Sequence, residues 1–98
     1  MSKIALFVQL EVDAAQRQDF MREMNDHAAK TLAGEAGCKQ FDVYASRDDE
    51  NTFLLYEVYA DQAALEIHRD NPQLGRFRDA TSDMVTSRRI VEGLALPA

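Results

Sequence analysis

The chain has 98 residues, 46% hydrophobic and 29% charged, which suits one small domain over residues 1–98 with little surplus core. Its 17 acidic against 11 basic residues give a net charge of −6. That balance argues against a nucleic-acid partner, because such proteins carry a basic footprint, and the one dense basic pair, Arg88-Arg89, is closely followed by Glu92. No apolar run reaches the roughly 20 residues of a membrane span, and "MSKIALFVQLEV" turns acidic too early for a signal peptide, so a cytoplasmic protein without a membrane partner is expected.

Ile4, Leu6, Val8, Leu10 and Val12 alternate through "IALFVQLEV" and predict a first strand with one apolar face. Its other face, Ala5, Phe7, Gln9 and Glu11, is mixed. Asp13 is placed to cap the helix that follows. In "QRQDFMREMNDHAAKTLAG" the residues Phe20, Met24, His27, Ala28, Thr31 and Leu32 recur at helical spacing and form the expected inner stripe. Gly34 and Gly37 then end the helix, through the left-handed cap conformation that glycine tolerates.

"CKQFDVYAS" predicts a second strand, with Phe41 and Val43 on one face. Cys38 is the sole cysteine, so neither an intrachain disulfide nor a thiolate metal site can form. A buried, unreactive thiol is the expectation. The polar "RDDEN" turn leads to a third strand, "TFLLYEVYA". Asp61 caps a short helix, "QAALEIHRD", and Asn71-Pro72 caps and starts another, with Leu74, Phe77, Thr81 and Met84 as its inner stripe. "TSRRIVEGLAL" closes the chain as a fourth strand.

The order β-α-β-β-α-β, its second helix broken at Asn71-Pro72, predicts an α+β ferredoxin-like sandwich: a four-stranded antiparallel sheet with helices on one face. Leu6 and Val8 oppose Phe7, and Leu54, Tyr56 and Val58 oppose Phe53 and Leu55. A sheet apolar on both faces needs a second cover, and a two-fold homodimer is the expected way to supply it.

Three polar residues stand where apolar ones are expected. His27 lies at the edge of the first helix's inner stripe, either bonding a carbonyl or serving as a general base near neutral pH. Glu57 shares a strand face with Phe53, Leu55 and Tyr59; a buried carboxylate must be paired, protonated or wet, and one reading pairs it with Arg88 or Arg89 across the dimer. His68 ends the short helix, where an imidazolium would suit the dipole. The two histidines lack metal-ligand spacing, and no phosphate loop, nucleophile elbow or recognisable cofactor motif is present. No metal or tightly held cofactor is expected.

The stretch "AGCKQFDVYASRDDENTFLLYEVYADQAALEIHRDNPQLGRF" resembles the antibiotic biosynthesis monooxygenase family. Members typically show Glu-Pro-Gly-Cys, an aromatic and an acidic residue in strand two, Tyr-Glu-x-Tyr/Trp in strand three, an acidic cap, and a helix ending in His-x-x-x-Pro-His. The resemblance implies a dimeric α+β barrel with a pocket between sheet and helices in each subunit. It implies cofactor-independent oxygenation of a small phenolic, quinol or enolisable substrate, whose deprotonated form passes an electron to oxygen. Glu57, Tyr59 and His68 fall on recurring positions. His27 stands where many members have asparagine, and in this it is similar to the isomerase of a phosphorylated quorum signal, which makes isomerisation the alternative chemistry. Gln73 replaces a common histidine and Ala36 a proline, and the tryptophan of haem-degrading members is absent.

On this reading His27, Glu57 and His68 are the candidate catalytic residues, with His27, on the long helix over the pocket, the expected base in preference to His68 and with Glu57 and Tyr59 orienting the substrate; Tyr59, Met24, Thr31 and Phe77 are the candidate substrate contacts. The competing reading is a non-catalytic dimeric module that binds a small ligand. A cavity reached by His27 favours an enzyme; one filled by Phe20, Met24 and Phe77 favours the module.

Overall fold

A computed structural model describes residues 2–97; Met1 and Ala98, the two ends of the expected domain, lie outside the described residues. Strand β1 (Ile4–Val12) is followed by a single 3-10 turn (Ala14–Gln16), helix α1 (Arg17–Gly34), strands β2 (Cys38–Ala45) and β3 (Thr52–Tyr59), helices α2 (Gln62–Asp70) and α3 (Pro72–Thr81), and strand β4 (Val85–Leu94). The sheet order is β2-β3-β1-β4, and all three pairings are antiparallel. This is the ferredoxin-like arrangement expected from the element order.

Alternation along β1 sets the two faces. Ile4, Leu6, Val8, Leu10 and Val12 are buried under the helices, while Phe7 on the opposite face is 51% exposed. Because paired residues share a face, the register continues this division: Val8 opposes Leu55 and Ile90, and Leu6 opposes Glu57 and Glu92. Glu57 therefore points to the helix-covered side. From α1 the core receives Phe20, Met24 and Ala28, and from α2 Ala64 and Leu65.

The caps follow the sequence closely. Asp13 Oδ1 accepts from the Ala15 amide at 3.1 Å, Asp61 Oδ1 from that of Ala64 at 2.9 Å, and Asn71 Oδ1 from that of Gln73 at 3.0 Å. Asp13 caps the 3-10 turn rather than α1 itself.

Three expectations need correction. Leu32 is not on the inner stripe; it is 43% exposed, because at 3.6 residues per turn it lies roughly a quarter of a turn or more from the line of Phe20, Met24, His27 and Thr31, which are buried. No glycine among the described residues has a positive φ. The helix ends instead when Glu35 turns extended, at φ −117° and ψ 103°, and its amide bonds Thr31 O at 3.0 Å. Gly37 has a different reason to be glycine: a Cβ there would meet Ala64 Cβ at 2.4 Å, so β2 and α2 could not approach as they do. Finally, Met84 lies beyond the end of α3, half-buried in the connection to β4.

Candidate active site

Between the sheet and the helices lies a cavity of about 100 Å³, lined by residues from β1, α1, β2, β3, α2, α3 and β4. Its inner wall is apolar, built from Leu6, Val8, Leu10, Phe41 and Leu55. His27, Glu57 and His68 also line it, as do Met24 and Phe77. The long helix α1 supplies Met24 and His27 one turn apart, β3 supplies Glu57, and the last turn of α2 supplies His68. Four polar side chains, His27, Glu35, Glu57 and His68, are only 4–6% exposed, so each needs a partner.

His68 has two. Its Nδ1 lies 3.1 Å from both carboxylate oxygens of Glu35, and its Nε2 is 3.8 Å from Glu57 Oε1. A carboxylate accepts only, so Nδ1 carries a hydrogen, and in the neutral form of the ring Nε2 is the lone-pair nitrogen. Asn71 Nδ2 donates to Glu35 Oε2 at 3.0 Å and steadies that carboxylate. Tyr59 OH donates to Glu57 Oε1 at 2.7 Å. The sequence reading of His68 as a terminal helix cap misses this: the ring turns inward to Glu35. Within the chain the partners of Glu57 are Tyr59 and His68, on the helix-covered face of the sheet.

Burial sets the electrostatics. It raises the pKa of Glu57, an effect partly offset by the Tyr59 hydrogen bond and by the positive charge available on His68. Tyr59, fully buried and facing the Glu57 carboxylate, is pushed up as well. His27 is lowered to about 4, chiefly by burial, then by His68 and Arg78, against a small opposing pull from Asp26. It is therefore neutral near pH 7. Its Nδ1 lies 2.9 Å from Gln73 Nε2; an amide nitrogen can only donate, so with Nε2 facing the ring the imidazole hydrogen sits on the His27 Nε2. The ring stacks on Phe77, centroids 4.3 Å apart at 13°, and meets the edge of Phe41. Cys38 is buried and its thiol is pushed up to about 11, mainly by burial.

Of the seven residues singled out from the sequence, five line the cavity. Tyr59 does not line it and touches the site through Glu57. Thr31 is fully buried away from the lining, and its hydroxyl has no hydrogen-bond partner. Two residues join the site unforeseen. Gln73, noted only as a departure from a family pattern, holds His27. Glu35 was not singled out, although a carboxylate at a helix C-terminus opposes the dipole and so needs another reason to be there. Among the described residues, no group of three or more His, Cys, Asp or Glu is placed to hold a metal ion, and no helix is long and apolar enough to cross a membrane.

The family model described as antibiotic biosynthesis monooxygenase matches residues 3–80, the span that holds every one of these polar residues. The chain belongs to this family. Among curated relatives, YcnE of Bacillus subtilis, provisionally named a monooxygenase, is 28% identical over 74 residues, covering 76% of this chain and 77% of that protein. Rv0793 of Mycobacterium tuberculosis, named in the same provisional way, is 29% identical over 75 residues, covering 76% and 73%. A structure from Caulobacter crescentus, provisionally described as an antibiotic biosynthesis monooxygenase, superposes with a TM-score of 0.94 at 25% identity and covers 97% of this chain and 91% of its own. The expected family and the ferredoxin-like α+β fold of the single chain are thereby shown.

Proposed function

We propose that the protein is a monooxygenase of a small phenolic or quinol substrate, with His68 as the base that removes the substrate's hydroxyl proton. The carrying observation is the His68 dyad: Glu35 fixes the Nδ1–H tautomer, so the free Nε2 can accept a proton inside an apolar cavity. A carboxylate bonded to the far nitrogen also stabilises the imidazolium that forms. Glu57, 3.8 Å from Nε2, is the next stop for the proton; its raised pKa suits it to receive one. The phenolate then gives electrons to dioxygen. One oxygen atom enters the ring and the other leaves as water, so a phenol plus O2 yields a quinone plus H2O, and a hydroquinone plus O2 yields a hydroxyquinone plus H2O.

His27 serves as a positioning group in this proposal. Its pKa of about 4 makes it a weak base, and its bond from Gln73 leaves an N–H, which can hold the substrate's oxygen rather than deprotonate it. Met24 and Phe77 supply apolar walls, and Tyr59 orients Glu57. At about 100 Å³ the cavity is well below the roughly 300–1,000 Å³ of drug-sized sites, which favours a single ring. The protein is further proposed to work in the cytoplasm as a homodimer, with the open sheet face, including Phe7, Tyr44, Leu54 and Val91, covered by a second copy.

The test is a product screen with hydroquinones, simple phenols and enolisable diketones, with and without oxygen. Quinone formed from a simple phenol, or hydroxyquinone formed from a hydroquinone, only in air supports the proposal. An isomerised product formed equally without oxygen would assign the site to isomerisation instead.

A further inference from the structure

Three arginines line the cavity where it meets solvent: Arg69 at the end of α2, Arg78 in α3 and Arg88 in β4. Their situations differ. Arg69 is ion-paired to Glu92. Arg78 and Arg88 have neither an ion pair nor a side-chain hydrogen bond among the described residues, in a chain that carries six more acidic than basic groups. Where carboxylates are this plentiful, two unpaired guanidinium groups at one opening are available for a ligand. Both arginines also line an adjoining shallow groove with Ser82, Thr86 and Ser87. The hydroxyls of Ser82 and Thr86 already donate to Asp79 O and Glu11 O, which leaves that of Ser87 as a further donor beside the guanidinium groups, against the single carboxylate of Asp79.

The division continues inward. Register places Arg88 on the helix-covered face opposite Leu10, and Ile90 opposite Val8, so the sheet wall changes from charged to apolar within one side-chain repeat. The opening thus joins a charged outer groove to an apolar chamber that ends at His68 and Glu57. Arg78 is close enough to the chamber for its charge to weaken the basicity of His27 and to favour the ionised form of Glu57.

We infer that the substrate is an anion: a single-ring phenol or quinol bearing an oxyanion group, carboxylate or phosphate, which Arg78 and Arg88 hold at the opening while the ring hydroxyl reaches His68. This deepens the monooxygenase proposal and rests on it for the orientation of the ring. An otherwise acidic protein repels anions at long range, so selectivity for such a substrate must come from this local pair.

The experiment compares binding, without turnover, of hydroquinone, 2,5-dihydroxybenzoate and hydroquinone monophosphate by calorimetry at low salt and neutral pH. Wild type is expected to bind at least one of the two anions about tenfold more tightly than hydroquinone, in line with one or two charge-assisted hydrogen bonds in a partly solvated site. In the Arg78→Gln/Arg88→Gln double variant this ratio should fall to about one, and added salt should erode it in wild type. The ratio is the readout, so a general loss of affinity from altered folding does not imitate it. The carboxylate and phosphate arms show which oxyanion the pair prefers. Equal affinities for all three probes, a ratio that survives in the double variant, or no anion binding at millimolar concentration would overturn the inference. Because no oxygen chemistry is read, a preserved anion preference with no quinone formed would sink the monooxygenase proposal and leave the anchor standing.

Discussion

Replacing Glu35 with Gln tests the tie that orients His68. Three contacts converge on this carboxylate: His68 Nδ1 at 3.1 Å from each oxygen, and Asn71 Nδ2 at 3.0 Å from Oε2. Glutamine keeps the shape, removes the charge and turns one acceptor into a donor. Hydrogen bonds to charged groups contribute about 1.5–3 kcal/mol each and neutral ones about 0.5–1.5, so downgrading one contact and losing another should cost about 2 kcal/mol. In a chain of this length that lowers Tm by about 8–16 °C. The effect on turnover should be larger. With an amide NH2 facing Nδ1, the favoured tautomer puts the hydrogen on Nε2, and the base is lost. Reversal of the tautomer in a hydrolase triad costs about 10⁴-fold; here the amide can still rotate to accept, and a fall in kcat of about 10²–10³-fold with a smaller change in KM is expected. Urea unfolding gives the stability, and nitrogen NMR of the imidazole reports which atom is protonated. A Glu35→Gln variant that keeps the Nδ1–H tautomer together with full turnover refutes the reasoning.

His27 titrates near 4 in the fold, against 6.5 for an unperturbed ring. Between those values the unfolded chain binds more protons, so its contribution to stability is complete above pH 6.5 and is lost as acid takes pH down towards 4. The full span is worth at most about 3 kcal/mol, less where solvent screens the ring; His27→Asn should flatten this part of the urea-derived stability profile, and an unchanged slope between pH 4.5 and 6.5 would assign the acid sensitivity elsewhere. Gly37→Ala should destabilise by about 1–3 kcal/mol through overpacking against Ala64. Adding Ala64→Gly should recover part of that loss despite its own helix cost, and a double variant no more stable than Gly37→Ala would show that the contact is not the cause. Light scattering should give twice the 11.1 kDa chain mass at micromolar concentration, with an interface on the order of 2,000 Å² or more; a stable monomer would contradict a dimer through the open face.

The fold was largely legible because its signals are local. The period-two apolar residues of β1, the caps at Asp61 and Asn71, and the proline after Asn71 each fix an element without reference to the others. The site was legible only in part. His27, Glu57 and His68 stood out as polar residues in apolar patterns, and that is a property of one element at a time. Their partners lie far along the chain: Glu35 meets His68 across 33 positions, and Gln73 meets His27 across 46. Such pairing depends on how α1, α2 and α3 pack, which no periodicity encodes. In the proposed mechanism the roles of the two histidines differ from the sequence expectation for the same reason. His27 reads as the better base from its place on the long helix, yet the Gln73 amide and burial make it a donor, while His68 gains a lone pair facing the cavity from a carboxylate that sequence alone does not bring to it. Leu32 shows the limit for packing: it follows Ala28 at helical spacing, but it lies at the margin of the stripe centred on Met24 and Thr31 and stays exposed.

The central claim is that His68, set by Glu35, opens an oxygen-dependent reaction by taking a hydroxyl proton. Oxygen uptake and quinone formation, measured together for wild type and for His68→Gln on the best phenol from the product screen, test it most directly. Glutamine can still donate to Glu35 but cannot serve as a base near neutral pH. The account predicts one O2 consumed per quinone in wild type and a fall of about 10²–10⁴-fold in the variant, the usual contribution of a general base, with substrate binding largely kept. A His68→Gln variant that consumes oxygen at the wild-type rate, or product formed with no oxygen consumed, would contradict it.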